Sequence, residues 1–228
     1  MRKKVLFYQT IIIVIVSAML DVYSLYYRGG KFTFLQTGNI IYLATNLINH
    51  NTTEALLSLL CLVTFGIGLF FAEILSLSLR RKHKDKYISL IFLFIISLLL
   101  IPNFFFSKTI PFDLSIIATI CLNLTGGILM SQFRNYLVPF TATMMTNNYK
   151  LMVENVVKTI ETKDKIFLRK SFIYLIIIIT FFLGALGAIY LINVSAYVIP
   201  IIALLLIILL FILELYKIRR GVCLDETI

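Results

Sequence analysis

The sequence has 228 residues, of which 60% are hydrophobic and only 14% are charged, and its formal net charge is +10. A water-soluble domain of this composition would expose large apolar patches, so the composition excludes a soluble globular protein and indicates a bilayer as solvent. The basic residues flank apolar runs and no nucleic-acid-binding motif accompanies them. Nucleic acid is therefore excluded as a partner.

Six apolar runs are each long enough to cross about 30 Å of hydrocarbon as a helix. They cover residues 5–27, 53–79, 87–106, 112–133, 171–192 and 196–216. Strands are not expected, because in lipid only a helix satisfies its own backbone groups within one segment. The predicted fold is therefore all-α, a polytopic transmembrane helix bundle with six spans. The first run lacks a small-residue cleavage site, so we expect it to be retained as a span.

Positive charge is distributed asymmetrically between the connecting segments. With the N-terminus inside, eighteen of the 21 Lys and Arg residues fall in cytoplasmic segments, and the external segments keep Arg28, Lys31 and Lys108. The positive-inside rule then places both termini in the cytoplasm. We expect a multi-pass protein of the cell (cytoplasmic) membrane.

Two polar segments interrupt the apolar pattern and match at an offset of 109 residues. The aligned pairs are Thr37-Gly38-Asn39 with Thr146-Asn147-Asn148, Asn46 with Asn155, and Gly30 with Pro139. Because each half has three spans, an odd number, the second half enters the membrane upside down. We predict two inverted repeats, residues 1–110 and 111–220, each with a short polar re-entrant or interfacial segment, and a cytoplasmic tail at 221–228. The alternative is a duplication that supplied only a stable bundle.

Several of these residues resemble the signatures of the YoaK family of small bacterial membrane proteins. Ala18-x-x-Asp21 with Gly29-Gly30 and Thr37-Gly38-Asn39 is similar to the first signature. Gln132 followed by Thr143-x-x-Thr146-x-Asn148 is similar to the second, although Asn147 stands where the family has glycine. The resemblance implies the six-span architecture and no particular activity.

Asp21 lies toward the outer end of the first span, where an ionised carboxylate needs a partner or water. One interpretation is an ion or proton site that faces the bundle interior. The other is a carboxylate that reaches external water or pairs with Arg28.

The Thr37-Gly38-Asn39 motif precedes an apolar run, Ile40 to Ile48, that is too short to span. We expect a helix capped by Thr37 or Asn39, whose free amides suit an anionic group, or a helix cap without further function. After Thr146 the pattern predicts an amphipathic helix on the cytoplasmic surface, stabilised by ordinary charge pairs.

Other polar residues of the spans have plainer interpretations. Glu73 is expected to pair with Arg80 or to have an intramembrane role, and Glu214 is expected to pair with Lys217. Asn123 is interpreted as a helix-packing residue, with ligand binding as the alternative. His50 and His83 lie on opposite faces, and no constellation of Ser, Cys, Asp and His suggests catalysis. We expect no enzyme activity, no metal and no cofactor.

The leading hypothesis is a small-solute or ion transporter or channel with its site at the repeat interface. The site residues come from the two motifs and the spans before them, and they are Asp21, Thr37, Gly38, Asn39, Gln132, Thr146 and Asn148. The alternative is a non-transporting membrane protein that binds lipid or a protein partner. The expected partners are the lipid bilayer and an unidentified small solute or ion, with a homo-oligomer left open.

Overall fold

The computed structural model describes residues 2–82, 84–105, 112–133 and 145–219, and no strand occurs among them. Its α-helices are α1 (Arg2–Tyr27), α2 (Gln36–Ile48), α3 (Thr52–Arg81), α4 (Ile88–Leu100), α5 (Pro102–Phe105), α6 (Phe112–Gln132), α7 (Met145–Thr162), α8 (Lys165–Ile192) and α9 (Val198–Arg219). A 3-10 turn covers Asp85–Tyr87. Predictions that concern His83, Lys108, Pro139, Thr143 and the tail at 221–228 lie outside the described residues.

In the described part of the chain, six stretches of helix are long and apolar enough to cross a membrane. They are Leu6–Tyr27, Thr52–Arg81, Ile88–Phe105, Ser115–Gln132, Lys165–Ile192 and Val198–Arg219. The prediction of an all-α bundle with six spans is confirmed, and the chain is an integral membrane protein. The third span is interrupted between Leu100 and Pro102, because proline has no N–H to continue the helical hydrogen bonds.

The first long helix of each half packs on the second long helix of the other half, α1 on α8 and α6 on α3. Glycine permits a close backbone crossing in both pairs. A Cβ atom on Gly68 would lie 2.5 Å from the carbonyl oxygen of Leu124, and one on Gly184 would lie 3.3 Å from the Cα of Ile15. In the same way α4 packs on α6 and α9 packs on α1, and α4 and α9 pack on each other.

The two short helices α2 and α7 fold back on the following span through the same kind of turn. His50 and Lys163 adopt left-handed backbone conformations, with φ values of 54° and 57°. The next residue caps the following helix, since Asn51 accepts a hydrogen bond from the Glu54 N–H and Asp164 accepts one from Ile166. These short connections place α2 against α3 and α7 against α8.

Candidate functional site

The chain reverses at a glycine pair after α1 and returns into the bundle. Gly29 and Gly30 have φ values of 69° and 71°, a region that glycine adopts without strain. Further along, the Thr33 hydroxyl donates to the Leu20 carbonyl at 3.3 Å. A Cβ atom on Gly126 would lie 2.6 Å from the Thr33 carbonyl oxygen. Gly126 lies about 16 Å from Ser115, the first residue of the fourth span, at 1.5 Å per residue. The chain therefore reaches the interior of the bundle just before α2 begins.

The Asp21 carboxylate lies at the start of α2. It is buried, with 8% of the residue exposed, and it accepts the Phe34 N–H at 2.8 Å. Free N–H groups at a helix N-terminus favour negative charge. The chain's own carboxylate therefore lies beside the N-terminus of α2, for which the sequence predicted an anionic group.

The Thr37-Gly38-Asn39 motif holds the turn ahead of α2. Asn39 is fully buried, and its side chain accepts the Phe32 N–H at 2.9 Å and donates to the Phe32 carbonyl at 2.7 Å. A Cβ atom on Gly38 would lie 2.9 Å from the Phe32 ring, so glycine lets the ring pack there. Thr37 is exposed, and the N-cap is Leu35 without a side-chain bond. The prediction that Thr37 or Asn39 caps the helix is wrong, because the Asn39 side chain binds the backbone of Phe32, ahead of the helix.

Two buried cations flank this turn. The Lys31 ammonium lies 2.9 Å from Glu54 Oε2 in the first turn of α3. The Arg28 guanidinium donates to the Tyr23 hydroxyl at 2.8 Å, to Asn103 Oδ1 at 3.2 Å and to Ser115 Oγ at 3.1 Å. Arg28 thereby connects the end of α1 with α5 and the start of α6.

Burial lowers the pKa of the Arg28 guanidinium from its ordinary value, and the interaction with Tyr23 opposes that shift. Because a guanidinium is not deprotonated in proteins, Arg28 stays charged at neutral pH. A buried positive charge therefore stands at this end of α1, surrounded by hydroxyl and amide groups.

Three buried polar atoms near Asp21 and Arg28 have no hydrogen-bond partner among the described residues. They are Ser24 Oγ, Asn103 Nδ2 and Asn123 Oδ1. Ser24 and Asn123 are fully buried, and Asn103 is 1% exposed. Buried polar groups in proteins are almost always paired with protein or with water. These three atoms are therefore places where water or a bound molecule would find a partner.

Along the two helices, Ser24 and Asn123 lie between two places where α1 and α6 are joined, and α1 and α6 run in opposite directions through this region. Arg28 binds Ser115 at one end of the region, and the Thr33 segment contacts both helices at the other end. Asn123 also donates to the Thr119 carbonyl at 3.0 Å and interacts with the Cys61 thiol of α3. We call this set of residues the α1–α6 polar layer. Its members are Ser24, Asn103, Thr119 and Asn123, with Asp21 and Arg28 at its two ends.

The remaining predicted site residues lie elsewhere. Gln132, at the opposite end of α6, accepts the Ser76 hydroxyl at 2.8 Å and donates to the Ala72 carbonyl at 3.3 Å, both on α3. Thr146 is exposed, while Asn148 is buried in the first turn of α7. The structure thus groups Asp21, Thr37, Gly38 and Asn39 at one turn and places the other three predicted residues apart from it.

Some of the local contacts predicted from the sequence are present in the structure, and others differ. The Lys150–Glu154 pair at 3.5 Å follows the predicted helical spacing, and the predicted Glu214–Lys217 pair is confirmed at 2.6 Å, although it is buried. Asn123 was interpreted as a packing residue, yet its Oδ1 lacks a protein partner among the described residues. Ser24 and Asn103 carried no signal beyond a polar residue near an apolar run.

Comparison with known proteins gives a family and no activity. The model of a family described as "Protein of unknown function (DUF1275)" matches residues 9–212, which is most of the chain. No curated protein and no solved structure matches the chain. The resemblance to the YoaK family stays a prediction.

Proposed function

We propose that this chain, which belongs to the DUF1275 family, moves a small solute or ion across the membrane through the α1–α6 polar layer. The main observation in support of this proposal is that buried atoms of Ser24, Asn103 and Asn123 have no hydrogen-bond partner among the described residues. Each such atom costs about 1–3 kcal/mol if nothing binds it. Polar residues inside a membrane bundle commonly mark solute or ion pathways. A bundle that only contacts lipid or a partner protein would gain nothing from these atoms.

We infer further that the pathway lies between inverted repeats. The packing of α1 on α8 has its counterpart in α6 on α3, and the turns at His50 and Lys163 are alike. Transporters with inverted repeats bind their solutes at the repeat interface, beside interrupted helices. The beginning of α2 within the bundle, next to Asp21, supports this arrangement.

In this proposal Asp21 fixes the start of α2 beside the pathway, and Asn39 and Gly38 hold the turn that leads there. Gln132, Thr146 and Asn148 serve the equivalent segment of the second half. The charge distribution of the sequence supports an orientation with the Arg28 end of the layer outside and both termini in the cytoplasm.

The test is solute flux into proteoliposomes with a matched pair of asparagine variants. Asn123→Leu removes the orphan acceptor of the layer, whereas Asn46→Leu changes an asparagine of α2 that donates to its own helix at Tyr42. We expect Asn123→Leu to reduce flux by about tenfold or more, since a barrier raised by about 1.4 kcal/mol has that effect. Asn46→Leu should keep the wild-type rate. Absence of flux above protein-free vesicles would favour the lipid-binding or partner-binding alternative.

A further inference from the structure

We propose that the transported solute is small and electrically neutral, and that it carries both hydrogen-bond donors and acceptors, as hydroxyl and amide compounds do. The inference rests on the proposed function and adds the chemical class of the solute. The inference follows from a comparison of the groups in the layer that already bind other atoms of the chain with those that have no hydrogen-bond partner.

The charged groups beside the layer are engaged by the chain's own atoms. The Asp21 carboxylate accepts the Phe34 N–H, Arg28 donates to Tyr23 and neighbouring groups, and Lys31 pairs with Glu54. An ion in the layer would have to compete with these partners for a charged group, or lie among neutral groups in a low-dielectric site. Either event is costly, because a buried charge that loses its partner is strongly destabilising.

The unpartnered atoms on Ser24, Asn103 and Asn123 are neutral and of both hydrogen-bonding kinds. The Ser24 hydroxyl donates and accepts, the Asn103 Nδ2 group donates, and Asn123 Oδ1 accepts. A neutral solute with both donors and acceptors can bind all three without bringing charge into the bundle. A purely apolar solute would leave them unpaired, which is unfavourable.

The spacing of these groups suits a small solute that passes from one to the next. Asn103 lies beside Arg28, where it accepts a hydrogen bond at 3.2 Å. Ser24 is four residues from Arg28, about 6 Å along α1, and Asn123 is eight residues from Ser115, about 12 Å along α6. Counted from the contact between Arg28 and Ser115, the three groups therefore lie at increasing depth in the bundle.

The experiment compares four probes in proteoliposomes that contain the full chain. Glycerol and urea are the neutral probes, followed by light scattering, and K⁺ and phosphate are the charged ones. We expect glycerol or urea to enter about tenfold faster than in protein-free vesicles, which corresponds to a barrier lowered by about 1.4 kcal/mol. The entry of K⁺ and phosphate should equal the protein-free rate.

The possible outcomes separate the two proposals. Flux of K⁺ or phosphate without glycerol or urea would overturn the neutral-solute inference and leave the transport function standing. Faster water exchange alone would also overturn the inference. No flux of any probe would overturn both proposals.

Variants test whether the solute crosses the membrane through the α1–α6 polar layer. Asn123→Leu should reduce glycerol or urea entry to the protein-free rate, and Asn46→Leu should not. If Asn123→Leu fails to fold, as judged by its elution and helical content in detergent, Ser24→Ala serves instead, because it removes only the orphan hydroxyl. Unchanged entry in whichever folded layer variant is measured would contradict the inference.

Discussion

Asp21 is a carboxylate inside a span whose hydrogen-bond partners are backbone amides. The Asp21 carboxylate accepts a hydrogen bond from the Phe34 N–H, thirteen residues further along the chain. Asp21→Ala should lower the free energy of unfolding by about 1–3 kcal/mol, because a buried N–H then loses its acceptor. Asp21→Asn keeps an acceptor oxygen and should lose less. Thermal unfolding in detergent measures both, with the exposed Glu161→Gln as control, and equal stability of Asp21→Ala and the control would contradict this role.

The Lys31–Glu54 pair should matter more than a surface pair of the same type. Lys31 is 3% exposed at its side chain, whereas the Lys150–Glu154 pair has side chains 71% and 43% exposed. Glu54→Gln leaves a buried ammonium without its carboxylate, so we expect a clear loss of stability. Glu154→Gln should change the free energy of unfolding by about 0–1 kcal/mol. Chemical denaturation in mixed micelles compares them, and similar losses would refute the burial argument.

Sequence reasoning found Asp21 because a lone charge within an apolar run is conspicuous. Its partners could not be found in that way, because the contact with Phe34 depends on the chain reversal at Gly29 and Gly30. Ser24 is an ordinary residue in sequence, and only the packing of the helices buries its hydroxyl without an acceptor or donor among the described residues.

At the scale of elements, the crossing of α3 and α6 depends on glycines that face backbone atoms. A Cβ atom on Gly127 would collide with the Phe65 carbonyl oxygen, whereas nothing lies within 4 Å of one on Gly66. Gly127→Ala should therefore destabilise the protein by about 1–3 kcal/mol through overpacking. Gly66→Ala, on the same α3, should be neutral or stabilising by up to about 1 kcal/mol, since alanine favours helix.

Melting temperatures of the two purified variants check this prediction. Both carry the same added methyl group in a helix, so helix propensity acts equally on them and only the neighbouring backbone differs. If Gly127→Ala melted at or above the temperature of Gly66→Ala, the close crossing would be contradicted.

Hydropathy predicts the spans well because the length of a membrane helix follows from bilayer thickness. Hydropathy predicts the first and last residues of each helix less well. The sequence placed the fifth span at 171–192, but α8 begins at Lys165, since the charged residues before Ser171 also favour helix. The depth at which α2 begins could not be predicted, because it depends on the contact between Thr33 and Gly126.

At the scale of the whole molecule, the six spans and the charge distribution predict one topology. Reporters fused after Ile228 and in the loop from Arg80 to Lys86 should report the cytoplasm, and one near Lys108 should report the outside. The positive-inside rule is the physical reason, since most Lys and Arg residues lie on one side in this arrangement. A cytoplasmic signal near Lys108 would be incompatible with it.

The claim that solute reaches the α1–α6 polar layer is tested most directly by thiol labelling. Ser24→Cys is made in a chain whose Cys61, Cys121 and Cys223 are replaced by alanine, and Ala203→Cys is the control at a fully buried apolar position.

Iodoacetamide, itself a small neutral amide, is the labelling reagent, and the reacting species is the thiolate, which needs contact with water. The account predicts that the Ser24→Cys thiol is alkylated, that glycerol slows the reaction, and that the Ala203→Cys thiol stays unmodified. Equal resistance of both thiols to alkylation would contradict it.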